Sequence, residues 1–200
     1  MTRRLWVGAL ALALAASGAF AQSDKKPAAA SAEGKAAMEA MMKAASPGDA
    51  HKKLEGMVGT FNTTVKSYMA PGAPPAESSG VSENTWVLGG RWIQQKFEGN
   101  FMGMPYSGIG YTGYDNLKKQ YVGSWMDNMS TAMMTSTGSA DASGKSYEFT
   151  STMDDPMSGK PMTVKEKVTV VDHDTHTMEM WGAAPDGKMF KMMEITYKRK

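Results

Sequence analysis

From residue 59 onward, apolar and polar residues alternate. Phe61, Thr63, Val65, Ser67 and Met69 recur at every second position, with Asn62, Thr64 and Lys66 between them. A period of two places one set on one face of a strand and the other set on the opposite face. Similar segments predict nine further strands, near Val81–Leu88, Arg91–Met102, Tyr106–Tyr114, Gln120–Asp127, Ser130–Thr137, Ser146–Met153, Met162–Val171, His176–Ala183 and Met189–Arg199. Between them lie turn formers such as Pro71-Gly72-Ala73-Pro74-Pro75, Gly89-Gly90, Asp141-Ala142-Ser143-Gly144 and Asp172 to Thr175. Short connections let consecutive strands pair antiparallel, and closing the first onto the last removes both free edges. The expected fold is all-β, an antiparallel up-and-down barrel of about ten strands. Eight strands are just wide enough to be filled by side chains or to hold one small ligand, so ten imply a wider bore.

The pattern before residue 59 differs. Arg3 and Arg4 precede an apolar run from Leu5 to Ala16, and Ala19-Phe20-Ala21 precedes Gln22. A basic start, an apolar stretch too short to span a bilayer and a small-x-small site describe a signal peptide over residues 1–21, cleaved after Ala21, and hence an exported protein, periplasmic or secreted. Residues 22–45 read as a flexible tether followed by a helix over Ala32–Ala45, with Met38, Met41, Met42 and Ala45 along one side. Ser46-Pro47 has the form of an N-cap and first turn, so a second helix is expected from there to about Gly56, opening a barrel domain over residues 46–200.

Charge narrows the partners. The chain has 22 Lys+Arg and 20 Asp+Glu; removing Arg3 and Arg4 with the signal leaves 20 of each. A neutral mature chain gives no electrostatic basis for nucleic acid binding, and a cleaved signal leaves no membrane anchor. With no cysteine, disulfides and thiolate chemistry are excluded. Twenty methionines spread from Met38 to Met193, apart from Met1, argue against one compact metal tract and for a permissive apolar lining.

Two carboxylates stand out. Glu166 shares a strand face with Met162, Val164, Val168 and Val170, while Lys165 and Lys167 take the other face. If the valines face inward, so does Glu166. Glu83 has a similar setting between Val81 and Val87. A buried carboxylate must be paired, protonated or wet, so each is a candidate polar anchor for a ligand, with an internal pair to Arg91 or Lys96 as the structural alternative. Trp125, beside Met126, Met129 and Met133, is a candidate lining residue, and Met104 in the Gly103-Met104-Pro105-Tyr106 loop a candidate cover for the barrel mouth. Gly113-Tyr114-Asp115-Asn116 reads as a hairpin device whose Asp and Asn cap their own turn. Asp172-His173-Asp174-Thr175-His176 carries metal-ligating residue types in a spacing that matches no closed site, so no metal ligand is assigned. No nucleophile elbow, phosphate loop or zinc-protease helix occurs, so no catalytic residue and no cofactor is assigned.

Several phrases together resemble a bacterial family: Gly59-Thr60-Phe61 after a helix, Leu88-Gly89-Gly90-Arg91, Gly103-Met104-Pro105, Gly113-Tyr114-Asp115-Asn116, Tyr121 with Trp125 and Asp127, and Met193-Glu194-Ile195-Thr196-Tyr197. The family is DUF1579, and the likeness runs from about His51 to the C-terminus. It implies a lipocalin-like, calycin-type barrel and no reaction. Gly59-Thr60-Phe61 is also similar to the Gly-x-Trp signature of lipocalins, with Phe in place of Trp as the aromatic plug of the barrel floor. The sequence thus points to an exported barrel that takes a small apolar or amphipathic ligand. Two other readings stay open, a copper handler using methionines with His173 and His176, and an enzyme whose site follows no known pattern.

Overall fold

The computed structural model describes residues 31–155, 159–184 and 187–200, so the expected signal peptide and most of the expected tether lie outside the described residues. The chain divides into two units between Met38 and Glu39. That division falls inside helix α1 (Ala32–Ala45), and α1 buries none of its residues. The second unit holds ten strands: β1 (Gly59–Ser67), β2 (Ala76–Val87), β3 (Trp92–Phe101), β4 (Met104–Asp115), β5 (Gln120–Asp127), β6 (Met134–Ala140), β7 (Ser146–Asp154), β8 (Pro161–Val170), β9 (Thr175–Ala183) and β10 (Met189–Arg199). Each pairs antiparallel with its sequence neighbours, and β1 pairs with β10, so the sheet closes into a barrel.

Register decides which face of each strand is lined with core residues. Phe61, Thr63, Val65 and Ser67 are buried on the inner face of β1. Phe61 lies opposite Ser82, and cross-strand partners share a face, so Ser82 and Asn84 point inward and are buried. Glu83 therefore points outward. It is exposed and lies opposite Thr60 and Lys96, which corrects the expectation drawn from its valine neighbours. On β8 the inner face carries Val164, Glu166 and Val168, as the alternation implied, with Lys165 outward.

One end is closed by a plug, a short helix α2 (Asp49–Lys52) running into a 3-10 turn at Lys53–Met57. The N-cap is Gly48 and not Ser46. Ser46 instead donates its hydroxyl to the Met42 carbonyl at the end of α1, and Gly48 donates its amide to His51 Nδ1. A helix ending inside a barrel leaves carbonyls without partners. Inward side chains supply them: Tyr121 donates to the Ala50 carbonyl at 3.0 Å, Tyr147 to Lys53 at 2.7 Å and Asn84 to Met57 at 2.7 Å. Leu54 and Met57 pack there with Ile93, Tyr121, Tyr147 and Phe149. Arg91 lies outside this end, exposed, and donates to the carbonyls of Ala45 and Leu88. Asn116 does not cap its own turn but donates to the carbonyls of Ala44 and Ser46, while Asp115 accepts from the amides of Leu117 and Lys118.

At the opposite end, β3 and β4 are joined by Met102 and Gly103 alone, both with positive φ (52° and 83°), as a two-residue hairpin demands. Met104 and Pro105 are thus paired strand residues, opposite Phe101 and Asn100, rather than members of an open loop.

Candidate functional site

The bore has two unlike walls. Strands β6 to β10 turn Met134, Met153, Met162, Met178, Met180 and Met193 inward by strand alternation, together with Val164 and Val168. Strands β1 to β5 contribute aromatic and amide side chains. Toward the plugged end the inner wall is sealed, with Phe61 and Tyr147 fully buried. Toward the other end the inward residues Met153, Met162, Met180 and Phe190 are only partly buried. Inward side chains of a closed tube keep such exposure only where solvent enters its mouth. Around that mouth, Met69, Met102, Met104, Met129, Met133 and Met189 are exposed. Met104 therefore stands at the rim.

On the aromatic wall several polar side chains bond to one another. Asn84 Oδ1 accepts from the Ser82 hydroxyl at 2.8 Å, and Ser82 accepts from Gln95 Nε2 at 2.9 Å. Beside them Asp127 Oδ2 accepts from the Tyr106 hydroxyl at 3.0 Å and from Trp125 Nε1 at 3.1 Å. Trp125 faces inward and lies across Gly108 and Gly110; a Cβ on Gly108 would stand 2.3 Å from its ring. Gly108→Val is therefore expected to displace the indole and cost about 1–3 kcal/mol, the range for overpacking. Equilibrium urea unfolding combined with a Trp125 indole NMR shift checks this. An unchanged shift would show that the ring does not rest there.

The opposite wall is not satisfied. Glu166 Oε1 is sealed from solvent and has no hydrogen-bond partner. Its strand neighbours Phe149 and Met180 are apolar. Removal from water disfavours the charged form, and the Glu166 carboxyl is pushed up to about 7. The other sealed, unpartnered side-chain atoms among the described residues are Thr63 Oγ1, Ser151 Oγ and His176 Nδ1, all on inward positions. His176 stacks on Tyr197 with ring centroids 4.2 Å apart. Burial, aided by the Arg199 charge, brings its imidazole down to about 4.

These two shifts oppose each other. Glu166 is raised from 4.5, so its contribution to stability is fully present below about 4.5 and is lost as pH rises through about 7. His176 is lowered from 6.5, so its contribution is present above about 6.5 and is lost as pH falls through about 4. Over their shared window the slopes cancel in part. In Glu166→Gln, stability is expected to climb with pH up to about 6.5 and then level off. Its advantage over the wild type should grow by up to about 3 kcal/mol between acid and mildly alkaline pH. Urea midpoints across that range check this; parallel profiles for the two proteins would contradict it.

Of the five residues singled out by the sequence, the bore gathers Trp125 and Glu166 on facing walls and Met104 at its rim. Glu83 and Arg91 lie outside it, and Lys96, the other suggested partner for an internal pair, is exposed on the outer face. His173 and His176 do not converge. The former is exposed and bonded to Asp174, and the latter is buried on Tyr197. No group of three or more His, Asp or Glu positioned for a metal ion occurs among the described residues. A groove of about 440 Å³ runs along β3 to β5 past Lys96, Ile109 and Met126. It is open to solvent and holds none of the sealed, unpartnered atoms. Sequence reasoning missed Gln95, Tyr106 and Asp127 as members of the aromatic wall, and Tyr197 on the other. The pair Gly108 and Gly110, spaced by two with Trp125 paired across from Gly110, was the available signal.

A family model described as "Protein of unknown function (DUF1579)" matches residues 46–199. Among solved structures, the chain is similar to the one described as "Crystal Structure of Rv2717c from M. tuberculosis", with 13% identity over 78% of this chain and 99% of that one and a TM-score of 0.55. At that identity the likeness shows the fold, a ten-stranded barrel. A redesigned β-barrel matches 76% of this chain and 95% of its own at 16% identity, with a TM-score of 0.37. No curated protein matches.

Proposed function

Since the chain belongs to the DUF1579 family, whose description assigns no activity, we propose a function from the bore itself: an exported carrier that holds a small apolar or amphipathic molecule inside the barrel. The observation that carries this reading is the inward Oε1 of Glu166, sealed and without a partner beside valine and methionine. A buried polar group left unbonded costs about 1–3 kcal/mol, and a guest offering one polar atom and an apolar body would offset that cost. Flexible thioether side chains adapt to varied shapes, which suits a permissive pocket.

Two further features fit this reading. The outer faces of the strands carry Glu83, Lys96, Glu98 and Lys165, all exposed, where a membrane-spanning barrel would carry an apolar belt. The signal-like residues 1–21 would send the barrel out of the cytoplasm, where no cysteine is at risk of oxidation. Native mass spectrometry of protein recovered from the exported fraction tests both parts. The expected result is a chain beginning at Gln22 with a retained organic molecule. A bound copper ion at fixed stoichiometry, or a chain retaining its first 21 residues in the cytoplasmic fraction, would contradict it.

A further inference from the structure

The charges inside the tube are one-sided. Between Phe61 and the open mouth, the inward positions of the described strands carry two carboxyl groups, Asp127 and Glu166, and no lysine or arginine. Arg199 lies at the plugged end, its guanidinium over the Phe61 ring and bonded to the carbonyls of Val58 and His173. Asp127 is occupied, since its two oxygens accept from Tyr106, Trp125 and the Met129 amide. Of the two carboxyl groups, Glu166 is the one with a sealed oxygen, Oε1, that nothing in the protein bonds.

From this we infer that the bore selects an amphiphile with a protonated amine head, which pairs with Glu166 while its apolar body lies along the methionine wall, and that it discriminates against fatty-acid-like carboxylates. The inference rests on the carrier reading and adds the chemistry of the guest. A single positive charge matches a single free carboxylate, and a charge-assisted bond in a site of low dielectric is stronger than a neutral one. The aromatic faces of the opposite wall, Trp125 and Tyr106, are attractive surfaces for a cation. A carboxylate guest would meet two like charges and no basic partner, an arrangement that costs energy in a desolvated space.

The preference is linked to pH through Glu166. The titratable groups sharing its surroundings are Tyr147 on β7, His176 on β9, Tyr197 on β10, Tyr106 on β4, and Tyr121 and Asp127 on β5. Burial keeps His176 neutral and pushes the tyrosines up, Tyr197 to about 12. Glu166 is thus the group that gains charge between mildly acid and mildly alkaline pH.

Calorimetric titration of the protein with decylamine, decanol and decanoate, each below its micelle concentration, tests the inference. At about pH 8 decylamine should bind at least roughly tenfold tighter than decanol, with decanoate weakest. The gap should narrow toward about pH 5 as Glu166 takes up its proton. Glu166→Gln should level the three affinities. Decanoate binding as tightly as decylamine, an amine preference below roughly threefold, or a preference that survives in Glu166→Gln would overturn the selectivity while leaving the carrier reading intact. Failure of all three to bind would overturn the carrier reading itself.

Discussion

Phe61→Ala is expected to lower the free energy of unfolding by about 3–5 kcal/mol, the range for emptying a buried aromatic site. The ring is fully buried on β1. It stands edge-on to His176 at 4.6 Å and to Tyr197 at 6.3 Å, and the Arg199 guanidinium lies 4.8 Å from its centre. Alanine removes the packing and also leaves the half-buried Arg199 guanidinium without its aromatic face. Neighbours can hardly collapse into the gap, because His176 and Tyr197 are fixed in their own stack and the sheet is closed. Urea unfolding followed by far-UV circular dichroism checks the magnitude. A loss below about 1 kcal/mol would mean that the floor of the barrel is not built around this ring.

Leu54→Ala should cost about 2–5 kcal/mol, placing it second. Leu54 is fully buried where the 3-10 turn enters the barrel, against Tyr121, Tyr147 and Phe149. Its loss would unseat the plug and weaken the bonds from Tyr121 and Tyr147 to the plug carbonyls. Amide exchange is the informative second readout. Protection should fall in residues 49–57 before it falls in β1 or β10, since local opening precedes global unfolding where contacts have been removed. A uniform loss of protection across the barrel would show that the plug is not a separate unit of stability.

Most of the fold was legible because strand boundaries coincide with residues that cannot continue a strand. The bounds of β5 and β10 match the alternation exactly as the turn residues set them, Gln120–Asp127 and Met189–Arg199. The inward aim of Glu166 was equally visible, because three valines and a methionine share its face and two lysines flank it on the other. Glu83 failed for a physical reason. On β2 the inward positions flanking Glu83 are Ser82 and Asn84, polar because they bond to Gln95 and to the plug, so the valines on the outer face mark the wrong side. Its face is fixed by pairing with Phe61, a contact between distant residues. The same limit hid the aromatic wall, where Tyr106, Trp125 and Asp127 meet only after β4 and β5 pair. At residue 46, proline and serine signalled a helix start, but the chain turns first and Gly48 becomes the cap because the His51 ring accepts its amide.

The methionines themselves provide the most direct test that a guest enters the bore through its mouth. In protein carrying carbon-13 methyl-labelled methionine, titration with decanol should shift the inward methyls of Met162, Met178, Met180 and Met193 and those at the rim. Met38, Met41 and Met42, exposed on α1, should stay unmoved. Shifts confined to α1, or an unchanged spectrum at saturating alcohol, would contradict the account.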